Sequence, residues 1–173
     1  MIPVSYPDIV ETFKRAMFDI LNLNFDGQVH RYGDINLAFP LARIEFHLQQ
    51  NSRPMELTIA VLGDTVLNEE HEKCNLAEKH GYEIRAVVQR SVIIAAPYEG
   101  GEERGKAAQL VDITWARLHN LTTMGVALFS ARNIHGPQLS TLPDEITRDI
   151  NIIEASGTFT AQIRAKYTAY SLT

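Results

Sequence analysis

At 173 residues, 45% of them hydrophobic, the chain can bury one substantial core and falls in the usual size range of a single domain. A net charge of −5, with acidic and basic residues interspersed, excludes a basic face that binds nucleic acid or anionic membrane by bulk electrostatics. Cys74 is the sole cysteine, which excludes an internal disulfide, and no stretch approaches the roughly 20 apolar residues of a membrane span, so the expectation is a soluble protein made in a reducing compartment.

The N-terminal segment predicts a helix: Ile9, Val10, Phe13, Ala16, Met17, Ile20 and Leu21 fall on one stripe at helical spacing. Ser5 is its expected N-cap, with Asp8 three residues on and Pro7 in the first turn, and Asn22, Asn24 and Gly27 end it. An irregular stretch from Gly27 to Pro40 follows. Ala42, Ile44, Phe46 and Leu48 then alternate with Arg43, Glu45, His47 and Gln49, and after a turn Leu57, Ile59 and Val61 alternate again, which reads as an antiparallel hairpin. A short polar helix is expected from Glu69 to His80, capped by Asn68 and stopped by Gly81, with acidic residues at its start and Lys79 and His80 at its end. Tyr82 to Ala96 suits strands, although a short helix fits it too.

Lys106 to His119 predicts a second good helix, with Ala107, Leu110, Val111, Thr114, Trp115 and Leu118 on one face and Asn120 as its breaker. Met124 to Phe129 is apolar on both faces, as a central strand should be. A second irregular loop runs from Asn133 to Pro143. The chain finishes as a hairpin, with Ile146, Ile150 and Ile152 on one arm and the turn at Glu154 to Gly157. In its second arm Phe159, Ala161, Ile163, Ala165, Tyr167 and Ala169 alternate with Thr160, Gln162, Arg164, Lys166 and Thr168, the pattern of a strand with one buried and one wet face. The sum is a single α+β domain over residues 1–173, a mostly antiparallel β-sheet with two to three α-helices packed on one face.

Several groupings look chemical. Gly100-Gly101-Glu102-Glu103-Arg104-Gly105-Lys106-Ala107 has the spacing of a phosphate-binding loop, but Ala107 replaces the magnesium-binding hydroxyl and two glutamates would repel phosphate, so it reads as a glycine-rich turn. His71, Cys74 and Glu78 share a face of the expected polar helix, with His80 just beyond, yet lack the paired spacing of a zinc site. His30, His47, His119 and His135 stand singly, with no nucleophile arranged beside them. Trp115 reads as a core anchor. No catalytic residue, cofactor or metal is expected, and the reading is of a protein that is not an enzyme. The two irregular loops are the better leads, because long loops in a compact domain usually bind something. Ile35, Leu37 and Phe39 in one, Ile134, Leu139 and Leu142 in the other, with Arg164 and Lys166 on the last strand, are the candidate interface residues.

The layout resembles that of the small tail terminator, or neck and tail-completion, proteins of tailed bacteriophages. The resemblance lies in an amphipathic N-terminal helix, "ARIEFHLQQ" leading to "MELTIAVLGD", the helix "GKAAQLVDITWARLHNL" and "RDINIIEASGTFTAQIRAKYTAY" near the end. It covers most of the chain, although Tyr82 to Ala96 and the glycine-rich turn are longer than the simplest form of that layout needs. It implies a structural virion protein, made in the host cytoplasm. Copies would form a homo-oligomeric ring, a hexamer, that terminates the tail tube and joins it to the head. Its implied partners are the tail tube, a sheath protein and a connector or stopper protein, with DNA passing through the lumen without specific binding and no membrane involved. A modestly acidic subunit suits such a lumen, because phosphates must pass rather than be held. The alternatives are a head-side stopper or adaptor and, in a different class, a small ligand-binding domain or enzyme using the Gly100 to Lys106 turn.

Overall fold

The computed structural model describes residues 9–25, 29–31, 36–40, 56–76 and 79–168. The elements in order are α1 (Ile9–Phe25), β1 (Val29–Arg31), β2 (Asn36–Pro40), β3 (Glu56–Leu76), β4 (Lys79–Pro97), α2 (Gly101–Met124), α3 (Val126–Ala131), β5 (Ile134–Leu139), β6 (Glu145–Arg148) and β7 (Ile152–Thr168). The fold class is α+β, as the sequence predicts. The strands form one antiparallel sheet in the order β1-β2-β3-β4-β7-β5, with β6 also paired to β7.

Alternation decides which face of the sheet is dry. Leu57, Ile59 and Val61 of β3, the even residues Ile84 to Ala96 of β4, and Ile153, Ala155, Phe159, Ala161 and Ile163 of β7 are buried. The register sets Ala86 against Ile163, Val88 against Ala161 and Ile94 against both Ile59 and Ala155, so these side chains share one face. Phe13, Ala16, Met17, Ile20 and Leu21 of α1 and Ala107, Leu110, Val111, Trp115 and Leu118 of α2 join the same apolar cluster. Phe159 sits at its centre, its ring 6.0 Å from those of Phe13 and Phe129.

The α1 stripe is buried as expected from Phe13 to Leu21, and Asn24 Nδ2 caps the helix end by donating to the Ile20 carbonyl at 2.7 Å. Its proposed N-cap at Ser5 lies outside the described residues, as does the expected strand from Ala42 to Gln49. Its expected partner is Leu57 to Val61, but both edges of Thr58 to Ala60 are taken by β2 and β4. The expected irregular stretch from Gly27 to Pro40 instead contributes β1 and β2.

Five other expectations are corrected. Where a polar helix is expected from Glu69 to His80, the described residues are strand, Glu69 to Leu76 in β3 and Lys79 and His80 in β4, and β3 and β4 stay paired to Leu76↔Lys79. Without an apolar face to pack, a short helix is marginal, whereas here β4 is held on its other side by β7 from Gly81↔Thr168 to Pro97↔Ile152. Met124 to Phe129 is not a strand: Met124 ends α2, Gly125 is the break, and Val126 to Phe129 belong to α3, in which Phe129 is buried; a short apolar run carries no period that tells helix from strand. The helix α2 passes through Asn120 to Met124, because Leu121 packs on the core, Thr122 is buried and its hydroxyl donates to the His119 carbonyl at 2.7 Å. Finally, the last hairpin turns at 149–151, and Glu154 to Gly157 lies inside β7. The loop expected from Asn133 to Pro143 contains β5.

Candidate assembly surfaces

The predicted interface residues do not form one patch. Leu37 and Phe39 lie in β2, at register with Ile59 and Leu57, while Ile134 and Leu139 lie in β5 at the other side of the sheet. Ile35 is outside the described residues. Ile134 and Leu139 are buried in the chain's own core, so they present no surface to a partner. Leu142, by contrast, is 75% exposed. Arg164 and Lys166 are exposed on β7 as the alternation demands, and Arg164 Nε donates to Gln162 Oε1 at 3.0 Å.

The chemical groupings resolve into structural roles. Gly100, with φ of 76°, precedes α2, and Gly101 to Lys106 are helical rather than a loop. Glu103 Oε2 accepts the Glu99 amide at 2.9 Å, placing a carboxylate where a phosphate-binding loop would receive its anion. His71 and Cys74 lie in β3 and His80 in β4, so the shared helical face does not exist, and Glu78 lies outside the described residues. Among the described residues no group of three His, Cys, Asp or Glu side chains is placed to hold a metal ion. His119 Nδ1 is 2.7 Å from the Leu139 carbonyl, and Trp115 Nε1 donates to the Ser140 carbonyl at 3.0 Å. Both α2 side chains therefore hold the exit of β5. Trp115 is the core anchor expected of it.

Arg90 is a core residue that sequence reasoning passed over. It is 2% exposed on the dry face of β4, and its Nη2 donates to the Val61 carbonyl at 2.9 Å. The β3–β4 register steps from Leu62↔Ser91 to Thr65↔Gln89, so Gly63 and Asp64 form a bulge opposite Arg90, with Gly63 at φ of 68°.

Among the described residues two surfaces carry exposed apolar side chains that the sequence does not mark out. The first is an open notch of about 420 Å³ lined by Asn24, Arg117, Asn120, Leu121, Met124, Gly125 and Leu128, where the ends of α1 and α2 meet α3. Met124 is 85% exposed on its rim, and Leu23 of α1, 73% exposed, lies one residue before Asn24. Arg117 lines it and donates from Nη2 to the Asn24 carbonyl at 3.3 Å. The second surface is the β6–β7 hairpin. Ile150 at its tip is 95% exposed and Ile146 also faces water. Glu145 and Arg148 of β6 and Asp149 of the turn are exposed as well. The tip is held rigidly: Tyr98 Oη donates to the Asp149 carbonyl at 2.5 Å, the Tyr98 amide to the Asn151 carbonyl at 2.9 Å, and the Asp149 amide to the Ile152 carbonyl at 3.0 Å.

Among the described residues no helix is long and apolar enough to cross a membrane. No family model matches the chain, and no curated protein and no solved structure matches it.

Proposed function

We propose that this protein is a structural subunit that assembles with copies of itself into a ring, in the manner of the bacteriophage tail terminator proteins its layout resembles. In that role the ring caps the tail tube, joins it to the head and lets DNA pass. The subunit is made in the host cytoplasm and ends in the virion.

The observation that carries this reading is the placement of large apolar side chains in water at ordered parts of the fold: Met124 at the end of α2, Ile150 at a hydrogen-bonded hairpin tip and Leu142 on the segment that leads into β6. Single exposed apolar residues are ordinary, but clusters on fixed elements at two separate places are the usual mark of contact surfaces. The architecture supports the same role. A sheet whose outer strands are short and whose central hairpin is long offers edges and a ribbon for neighbouring subunits, and a ring of identical subunits needs two different surfaces on each copy.

The test is the mass and shape of the purified protein. Light scattering and negative-stain electron microscopy are expected to give a closed ring far above 19.4 kDa that binds the ends of tail tubes. A monomer at every concentration up to hundreds of micromolar, with no affinity for tubes, would overturn the proposal.

A further inference from the structure

The geometry points to copies of this chain joining edge to edge through the sheet, with β7 of one beside β3 of the next; this rests on the ring proposed above and names its contact. At one end of the sheet β3, β4 and β7 run side by side. Glu70, Arg85 and Arg164 share one row of the register, and Glu72, Glu83 and Lys166 share the next row but one. Among the described residues β2 covers the outer edge of β3 only as far as Ala60. On the other side β5 covers β7 only as far as Ile163, with the Arg164 amide donating to the Asn133 carbonyl just beyond. Among the described residues, therefore, Val61 to Leu76 and Ala165 to Thr168 have a strand on one side only. Backbone amides alternate sides along a strand, so those of Lys166 and Thr168 point outward with that of Arg164, as donors to a further strand.

The side chains at these two edges select the occupant. Glu70 and Glu72 are exposed on β3, and Arg164 and Lys166 are exposed on β7. All four share the face turned away from the helices, because their row partners Glu83 and Arg85 alternate with Ile84 and Ala86, which are buried in the helix-covered cluster. Charges of one sign on both edges would keep copies apart, as edge charges commonly do. Here one edge is acidic and the other basic. Both β3 and β7 run antiparallel to β4, so they run parallel to each other. Rotation about an axis along the strands preserves direction and level, and it sets Arg164 beside Glu70 and Lys166 beside Glu72 of the next copy in a parallel pair. A two-fold contact of β7 with β7, or of β3 with β3, would instead oppose like charges. The two edges of one copy lie about 10 Å apart across β4 at ordinary strand spacing and face away from each other, so no copy pairs with itself. The partner is a second copy, joined head to tail, and the repeated rotation closes the ring.

The test uses the full chain with its one thiol removed by Cys74→Ser, into which Lys166→Cys and Glu72→Cys are introduced singly and together. Within one chain the two sites are separated by β4, too far apart for a disulfide. Under mild oxidation the double variant is expected to give covalent multimers up to the size of the ring, and each single variant to remain uncrosslinked. Charge reversal supplies a second readout in the unaltered background. Lys166→Glu and Glu72→Lys should each raise the concentration at which rings form about fivefold at low salt, and the two together should bring it back to within about twofold of the wild type. Thermal melts show that each variant is folded, and the cysteine pair decides if a charge variant is not. Rings of the double-cysteine variant that do not cross-link, or folded reversals that the exchange does not rescue, overturn this contact and leave the ring standing. Covalent dimers from a single-cysteine variant overturn the head-to-tail arrangement. A wild type that never assembles overturns the ring itself.

Discussion

Gly157 lies directly beneath Trp115: a Cβ built on the glycine would stand 2.7 Å from Cη2 of the indole and 3.0 Å from Cζ2. The glycine is on the dry face of β7, opposite Val92, so the strand gives up a side chain there to let the largest residue of α2 reach the sheet. Real Cβ contacts do not come that close, and Trp115 is 2% exposed with its indole tied to Ser140. Gly157→Ala is therefore expected to destabilise the fold by about 1–3 kcal/mol through overpacking, despite alanine's lower backbone entropy cost. In Trp115→Phe, where the ring is smaller, the same substitution should cost markedly less. Urea unfolding of the four proteins in a double-mutant cycle gives the coupling, and an additive cycle would contradict the contact.

That relationship also shows where the sequence was legible and where it was not. The apolar stripes of α1 and α2 and the alternation of Phe159, Ala161 and Ile163 declare their buried faces, because each period is set by the element's own geometry. Gly157 reads as a turn residue, since nothing local announces an indole arriving from 42 positions earlier in the chain (157 − 115). Glu69 to His80 has helical caps and charges but no apolar face, and pairing of β3 with β4, from Glu70↔Arg85 to Leu76↔Lys79, sets its conformation instead. Of the candidate interface, Leu142, Arg164 and Lys166 proved exposed, while Ile134 and Leu139 were drawn into the core by α2 and α3. In the sequence Ile150 and Met124 are members of regular apolar runs. Their exposure follows from where the 149–151 turn and the α2–α3 break fall, and a one-dimensional pattern does not carry that.

A second glycine gives a sharper contrast. The break between α2 and α3 is made by Gly125, whose amide donates to the Leu121 carbonyl at 2.8 Å and whose added Cβ would stand 2.4 Å from that same oxygen. Here the clash is with backbone, which has no rotamer to change. Gly125→Ala should cost about 2–3 kcal/mol or shift the angle between the two helices. Gly101→Ala, at the start of α2 where an added Cβ meets nothing within 4 Å, should be neutral or stabilising by up to about 1 kcal/mol. Thermal melts of the two variants should move in opposite directions.

Asn133 takes the left-handed conformation, φ 63°, between α3 and β5. Its amide donates to the Ser130 carbonyl at 3.0 Å and its carbonyl accepts the Arg164 amide at 3.1 Å, so the conformation is locked on both sides. Asparagine tolerates that region and glycine prefers it, whereas a β-branched side chain does not. Asn133→Gly should leave stability within about 0.5 kcal/mol and Asn133→Val should lower it by about 1–2 kcal/mol, a difference that chemical denaturation resolves.

The ion pair between Arg132 Nη1 and Asp19 Oδ2, at 2.7 Å, tests the weight of surface charge in docking α1. Both side chains are well exposed, so water and salt screen the pair, and Asp19→Asn should cost under about 1 kcal/mol. Phe13→Ala, which removes a ring from the centre of the cluster, should cost about 3–5 kcal/mol. If the two losses were equal, α1 would be held by charge rather than by its apolar stripe.

The clamp at the exit of β5 connects the core to the exposed surface. Trp115 Nε1 donates to the Ser140 carbonyl, His119 Nδ1 lies beside the Leu139 carbonyl, and Ser140 Oγ donates to the Leu142 carbonyl at 2.5 Å, so the segment leading to β6 is fixed from α2. Trp115→Phe keeps most of the apolar body and removes the donor, leaving a carbonyl that must find water. The expected result has two parts: a global loss of about 1–3 kcal/mol and, beyond it, faster amide exchange confined to residues 139–148. His119→Gln, which retains a donor, should leave exchange there much closer to the wild type than His119→Ala does. Uniform acceleration across the sheet, with no excess in that segment, would mean that the indole acts through packing alone and that the connection to β6 is ordered by its own pairing with β7.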